Sequence, residues 1–147
     1  MDDLAKELFQ KGEELLSRGE GLAALASFEK SLNIGNSDPL CRSYVALLSA
    51  TERGELRRAI NISEELLKSS PAEPLLYLHL GKLYLLNGRK TEAVGILREG
   101  MARRWMPEAE GLLESMGLRK KPVFPFLSRG NRLNKFAGLL FSRLGLR

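Results

Sequence analysis

The sequence predicts an all-α fold, a solenoid of three helical hairpins, because three features recur at one period. The first is a helix-ending glycine that returns after 35 and then 34 residues, at Gly19, Gly54 and Gly88. The second is an alanine that follows each glycine at the same separations, at Ala24, Ala59 and Ala93. The third is a proline that opens the next unit, at Asp38-Pro39, Glu73-Pro74 and Met106-Pro107.

Each repeat is predicted to be two helices joined by a turn. In the first repeat, Gly19 suits a helix end because glycine accepts the left-handed backbone conformation. The following helix has apolar residues at three- and four-residue spacing, namely Leu22, Leu25, Phe28 and Leu32. Proline then suits the first position of the next helix. We place the repeats at about 5–38, 40–73 and 74–107, and no segment shows strand alternation of useful length.

Small residues are expected where two helix axes come close together. Gly12 and Gly81 fit such positions on the first helices of the outer repeats. The middle repeat has Leu47 and Leu66 at the matching positions. Its two helices are therefore expected to pack further apart, or the repeat to be the least regular of the three.

A capping helix is predicted at residues 107–116, because the last repeat of an array needs its apolar face covered. Its apolar residues fall at i, i+3, i+4 and i+7, which are Ala109, Leu112, Leu113 and Met116. Three glutamates lie away from that stripe, and Gly117 ends the helix.

These spacings resemble the tetratricopeptide repeat (TPR) family, whose period is about 34 residues. The third repeat carries the most family positions, at Tyr77, Leu80-Gly81, Tyr84, Gly88, Ala93 and Leu97. The resemblance covers roughly residues 4–107. It implies a right-handed solenoid that binds a protein or peptide ligand, and it leaves the identity of that ligand open.

The resemblance also implies that the first helix of each repeat lines a concave surface. The residues on it would be Lys6, Phe9, Glu13, Leu16, Cys41, Tyr44, Val45, Leu48, Glu52, Leu75, Leu78, His79, Lys82 and Leu85. If bare, its apolar part would reach on the order of 500–900 Å², against roughly 300–600 Å² for the largest patch of a typical monomer. We therefore expect a partner or the tail to cover it, unless the side chains pack on one another. Glu13 and Val45 replace the asparagines of the family's chaperone-tail clamp, so that ligand is not expected.

The C-terminal residues 118–147 form a basic tail. Residues 101–147 carry ten Lys/Arg and three Asp/Glu, whereas residues 1–40 carry four and eight. Pro122 and Pro125 break the first part of the tail, and residues 132–147 can form a short amphipathic helix. The tail residues expected to make contacts are Phe124, Phe126, Leu127, Leu133, Phe136, Leu140 and Leu144.

Three alternatives remain open for this tail. It packs on its own repeats, it binds a partner or another copy of the chain as in a homo-oligomer, or it lies on an anionic membrane surface. Nucleic acid is disfavoured because no recognised binding module accompanies the basic residues.

Catalysis is not expected. His79 has no Ser or Cys partner at an interpretable spacing, and the lone Cys41 is typical of a packed thiol. One Cys and one His also exclude a Cys/His zinc cluster, and neither a metal site nor a cofactor is predicted. The chain lacks a signal-peptide pattern and a long apolar stretch, so we expect a cytoplasmic location.

The sequence therefore favours a protein–protein interaction module or scaffold that binds a peptide or helix in the concave groove. The alternatives are a peripheral membrane adaptor anchored by the C-terminal helix, and a self-associating protein whose tail docks on its own or another chain's repeats.

Overall fold

The computed structural model describes residues 3–117, which form seven α-helices and no strand within that range. The helices are α1 Asp3–Ser17, α2 Gly21–Asn33, α3 Pro39–Arg53, α4 Leu56–Ser69, α5 Pro74–Leu86, α6 Lys90–Arg103 and α7 Pro107–Ser115. The predicted all-α hairpin solenoid is confirmed. The predictions for residues 118–147 lie outside the described range.

The recurring glycines form the turn of each hairpin. Gly19, Gly54 and Gly88 have φ of 78°, 74° and 73°, the left-handed conformation that a side chain would strain. The amide after each glycine bonds back into the preceding helix, as Glu20 N–H does to the Leu15 carbonyl at 3.0 Å. This arrangement satisfies carbonyl groups that a helix end otherwise leaves unpaired.

The prolines begin α3, α5 and α7, and two of these helices have a carboxylate cap. Asp38 accepts a hydrogen bond from the Leu40 amide at 2.9 Å, and Glu73 accepts one from Leu75 at 3.2 Å. A carboxylate at this position also interacts favourably with the positive end of the helix dipole. The recurring glycines therefore mark where the first helix of a hairpin ends, and the recurring prolines mark where the next such helix or the capping helix begins.

Within the outer hairpins, a glycine on the first helix meets a large side chain on the second. A methyl group added to Gly12 would lie 2.6 Å from the Phe28 ring, and one added to Gly81 would lie 2.5 Å from Leu97. These distances are far below van der Waals contact, so neither position has room for a side chain. The predicted close approach of helices at Gly12 and Gly81 is confirmed.

In the middle hairpin the large residue is on the first helix and the small residue is on the second. Leu47 occupies the repeat position that is equivalent to Gly12 and Gly81, and it is buried. The register of Phe28 and Leu97 is occupied by Ser63, a small and almost fully buried residue. At these equivalent positions the large residue is therefore on the first helix here and the small one on the second.

Adjacent hairpins are joined by a glutamate at one register position. Glu29 of α2 pairs with both terminal nitrogens of Arg53, at 2.5 and 2.9 Å. Its equivalent Glu64 in α4 accepts the Tyr84 hydroxyl at 2.7 Å and lies 3.8 Å from Arg89. The third hairpin has the exposed Arg98 at this register, so the charge is reversed where the hairpins end.

The chain divides into two compact units, Met1–Leu113 and Glu114–Arg147, of which the second is described only over residues 114–117. The boundary after residue 117 that the sequence suggested stays a prediction. In the first unit, one buried cluster joins the first hairpin to α3, and another joins α3 and α4 to the third hairpin. No helix among residues 3–117 is long and apolar enough to cross a membrane.

Candidate partner-binding groove

The first helices of the three hairpins line a groove of about 610 Å³, which we call the leucine groove. Its lining residues are Leu16, Gly19, Gly21, Leu47, Leu48, Thr51, Glu52, Lys82, Leu85, Leu86 and Leu112. The groove lies at the C-terminal halves of α1, α3 and α5, and α7 closes it on one side through Leu112. Six leucines make its wall apolar.

Five of the residues proposed from the sequence line this groove, namely Leu16, Leu48, Glu52, Lys82 and Leu85. The sequence reasoning missed Leu47, Thr51, Leu86 and Leu112, as well as two glycines of the first turn. Helical spacing from Tyr44 through residues 48 and 51 could have identified Thr51. Nothing in the local sequence indicated that the capping helix would contribute Leu112.

Leu75 and Leu78 line a second depression of about 250 Å³, at the N-terminal end of α5. Trp105, Met106 and Pro107 from the connection between α6 and α7 form its other wall. Trp105 is 61% exposed, and its indole N–H donates to Glu110 at 3.1 Å. The predicted concave residues are thus divided between two separate depressions.

Val45 does not belong to the groove. It lines a depression on the other side of α3, together with residues of α2 and α4 such as Leu32 and Ile62. A step of one residue turns a helix by about 100°, which moves Val45 away from the stripe of Tyr44 and Leu48. Val45, which the sequence analysis placed on the concave surface, thus lines a different depression. Cys41 is fully buried, and its thiol lies 3.6 Å from the Phe28 carbonyl, so it is packed too.

Aromatic residues fill the part of the concave surface near α1. The Tyr44 ring stacks on Phe28 at 4.7 Å between centroids, and Phe9 meets both rings edge-on at 5.4 and 6.0 Å. Such pairs stabilise a fold beyond the area they bury. Near α1 the concave side chains therefore pack on one another, whereas the leucine groove stays open. Lys6, on the same helix as Phe9, is exposed.

His79, which the sequence analysis placed among the ligand-contacting residues, is buried in the structure. Its side chain is only 3% exposed, its Nδ1 lies 2.8 Å from the Ser43 hydroxyl, and its ring lies 4.7 Å from Tyr44. Burial, followed by the nearby charge of Lys82, lowers the pKa of His79 from 6.5 to about 3. His79 is therefore a neutral packing residue between α3 and α5.

The charges at the groove are unequal. The Lys82 ammonium group is 2.6 Å from the carboxylate of Glu108 in the first turn of α7, so its charge is already paired.

Burial raises the pKa of Tyr44, and the carboxylates of Glu13, Glu108 and Glu73 raise it further. Burial and these three carboxylates thus disfavour the ionised form of Tyr44.

Cys41 is not placed in a setting that activates a thiol. Burial raises the pKa of the Cys41 thiol to about 11, which disfavours the nucleophilic thiolate. Among residues 3–117, no group of three or more His, Cys, Asp or Glu is placed to hold a metal ion. The proposed tail contacts Phe124, Phe126, Leu127, Leu133, Phe136, Leu140 and Leu144 lie outside the described residues and stay predictions.

Comparisons with known proteins agree with this architecture. A family model described as tetratricopeptide repeat matches residues 50–117. The solved Sgt2 TPR domain from Aspergillus fumigatus has a TM-score of 0.56 at 15% identity, over 89% of this chain and 93% of that chain. A thermophilic TPR protein of Thermus thermophilus has a TM-score of 0.46 at 19% identity, over 78% and 84% of the two chains. No curated protein matches the sequence significantly.

The matched segment runs from the end of α3 through α7, and the first hairpin repeats the same glycine turn and the same glycine-to-large-residue contact. The solved Aspergillus domain shares the fold over most of both chains. Residues 50–117 thus match the tetratricopeptide repeat family, and the chain shares the fold of a solved tetratricopeptide repeat domain.

Proposed function

We propose that the leucine groove binds the apolar side of a peptide or helix from a partner protein. Tetratricopeptide repeats generally serve protein–protein interaction and not catalysis, and the fold supports that general role. The observation that carries the finer proposal is an open apolar groove on the first helices. Its volume of about 610 Å³ falls within the usual range for ligand sites.

The accessibility of the groove wall supports this role. Leu86 is 55% exposed, and Leu16 and Leu85 are partly exposed, so their side chains remain available for burial by a ligand. Covering one such side chain contributes roughly 1.5–3 kcal/mol before the costs of association. An amphipathic helix would use residues at i, i+3, i+4 and i+7 for these contacts.

The test is Leu86→Ser, because Leu86 lines the groove while remaining accessible. A helical peptide selected from a random library against the full-length protein is expected to bind this variant at least about tenfold more weakly. Fluorescence polarisation of the labelled peptide measures the affinity. Unfolding in urea, followed by circular dichroism, checks that the variant remains folded.

Leu4→Ser is the matched control, because Leu4 is 53% exposed but does not line the groove. It should bind the selected peptide as the unmodified protein does. Equal affinity of the Leu86→Ser and Leu4→Ser proteins would contradict the proposal that the ligand occupies this groove.

A further inference from the structure

Glu52 is the charged residue that decides what ligand chemistry fits the leucine groove. It lies on the last turn of α3 and lines the groove beside Thr51. Its carboxylate accepts a hydrogen bond from the Thr51 hydroxyl at 3.3 Å. Within residues 3–117 it forms no ion pair, in contrast to Glu14, Glu29 and Glu55.

The position of this carboxylate is defined by the first turn. It lies directly over Gly21, so closely that a methyl group on Gly21 would collide with it. The absence of a side chain at Gly21 thus allows Glu52 to reach across from α3 to the beginning of α2. The carboxylate sits where the groove opens between the first two hairpins.

The cation on the opposite wall does not neutralise Glu52. Lys82 is held by Glu108 at 2.6 Å, and its side chain is only 28% exposed. The lining of the groove therefore presents one unpaired carboxylate, one internal ion pair and six leucines. A ligand that buried Glu52 without supplying a cation would leave its charge desolvated, which is unfavourable.

We infer that the leucine groove binds a basic amphipathic helix of a partner protein, whose apolar stripe meets the leucines and whose Lys or Arg pairs with Glu52. This inference rests on the proposed function and adds the charge of the partner. It disfavours acidic peptides and anionic lipid surfaces, because both would bring negative charge to an unpaired carboxylate.

The experiment uses two synthetic helical peptides of about 18 residues, long enough to form a helix on binding. Both have leucine at i, i+3, i+4 and i+7 positions, and their other positions alternate glutamine with lysine in one peptide and with glutamate in the other. Fluorescence polarisation gives the affinity of each peptide for the full-length protein. The lysine peptide is expected to bind about five- to tenfold more tightly, and this preference should shrink as salt is added.

Glu52→Lys should abolish or reverse that preference. The matched control is Glu65→Lys, because Glu65 is exposed on α4, does not line the groove, and gives the same change in net charge. Gly21→Ala provides a milder variant, since only the flexible end of Glu52 must move. It should weaken the preference for the lysine peptide while leaving the protein folded.

The outcomes separate the two proposals. Equal binding of both peptides, unaffected by Glu52→Lys but lost in Leu86→Ser, would overturn the basic ligand and leave the apolar groove in place. Failure of both peptides to bind would overturn both proposals. A preference that emerges only when Phe136 and Leu140 are replaced by Ser would identify the chain's own tail as the occupant, and would overturn the assignment to a partner protein.

Discussion

The outer hairpins and the middle hairpin solve the same packing problem in opposite ways. Gly12 and Gly81 make room on the first helix for Phe28 and Leu97 of the second helix. In the middle hairpin Leu47 occupies the first helix, and the small Ser63 faces the same register from the second. In each hairpin these two equivalent positions thus combine one large and one small residue, whichever helix carries the large one.

The small residue of the middle hairpin is polar, and its hydroxyl is buried. The hydroxyl of Ser63 is buried without a hydrogen-bond partner among the described residues. By contrast, the buried Ser31 donates to the Ala5 carbonyl at 2.6 Å and accepts from Asn36 at 2.9 Å. The middle hairpin therefore has a polar defect that a hydrocarbon side chain would not have.

The largest expected effect on stability comes from replacing the glycine of an outer hairpin with the leucine found in the middle hairpin. Gly81→Leu should lower the free energy of unfolding by about 3 kcal/mol, because even a methyl group would overlap Leu97. Adding Leu97→Ser recreates the middle arrangement and should recover at least about 1 kcal/mol. Urea unfolding monitored by circular dichroism measures both values.

Gly95→Ala controls for the loss of a helix glycine, because nothing lies within 4 Å of its added methyl group. It should stabilise the protein by up to about 1 kcal/mol. If Gly81→Leu proved as stable as the unmodified chain, the tight contact between α5 and α6 would be contradicted.

A smaller effect is expected from the polar contact that links the middle hairpin to the third. His79 has a pKa of about 3 in the folded state against 6.5 for an unperturbed histidine, so the unfolded chain binds a proton first as the pH falls. The stability is complete above pH 6.5 and declines as the pH falls from there towards 3. At pH 5 the loss should be about 2 kcal/mol.

His79 is the only histidine of the chain, so proton NMR reports its titration without ambiguity. Its imidazole signals should stay those of the neutral ring until the protein unfolds. His79→Gln should remove this part of the pH dependence in urea unfolding. A folded-state titration with a midpoint near 6.5 would show that the ring is not buried as described.

The smallest expected change in stability comes from removing the buried hydroxyl of Ser63. Ser63→Ala should stabilise the protein by about 1 kcal/mol, because it removes a buried hydroxyl that lacks a partner. Ser27→Ala is the control, since the Ser27 hydroxyl donates to the Ala23 carbonyl at 3.1 Å and both changes gain the same helix propensity. A Ser63→Ala protein less stable than the Ser27→Ala protein would mean that the Ser63 hydroxyl has a partner.

The sequence predicted the parts of the fold that depend on local conformation. Gly19, Gly54 and Gly88 occupy left-handed turns, and Pro39 and Pro74 begin helices, because glycine and proline restrict the backbone wherever they occur. The family resemblance added the expectation that the first helix of each hairpin lines a groove, and Leu16, Leu48 and Leu85 of these helices line the leucine groove.

The details of the site depended on rotation and distance, which the sequence does not supply. Val45 follows Tyr44 directly and lines a different depression of α3. His79 is buried where α5 packs against α3, and Ser43, 36 residues earlier, lies beside it. The pairing of Lys82 with Glu108 likewise required the position of α7. Periodicity identifies a helix face approximately, whereas these contacts require the packed neighbours.

The reversed charge at Arg98 has a consequence for end-to-end assembly. Glu29 and Glu64 each receive an arginine from the hairpin that follows, whereas Arg98 would confront such an arginine with a like charge. A further hairpin of the same kind, brought by a second molecule, would therefore be repelled at this joint. We therefore expect this side chain to disfavour open-ended stacking of one molecule on another.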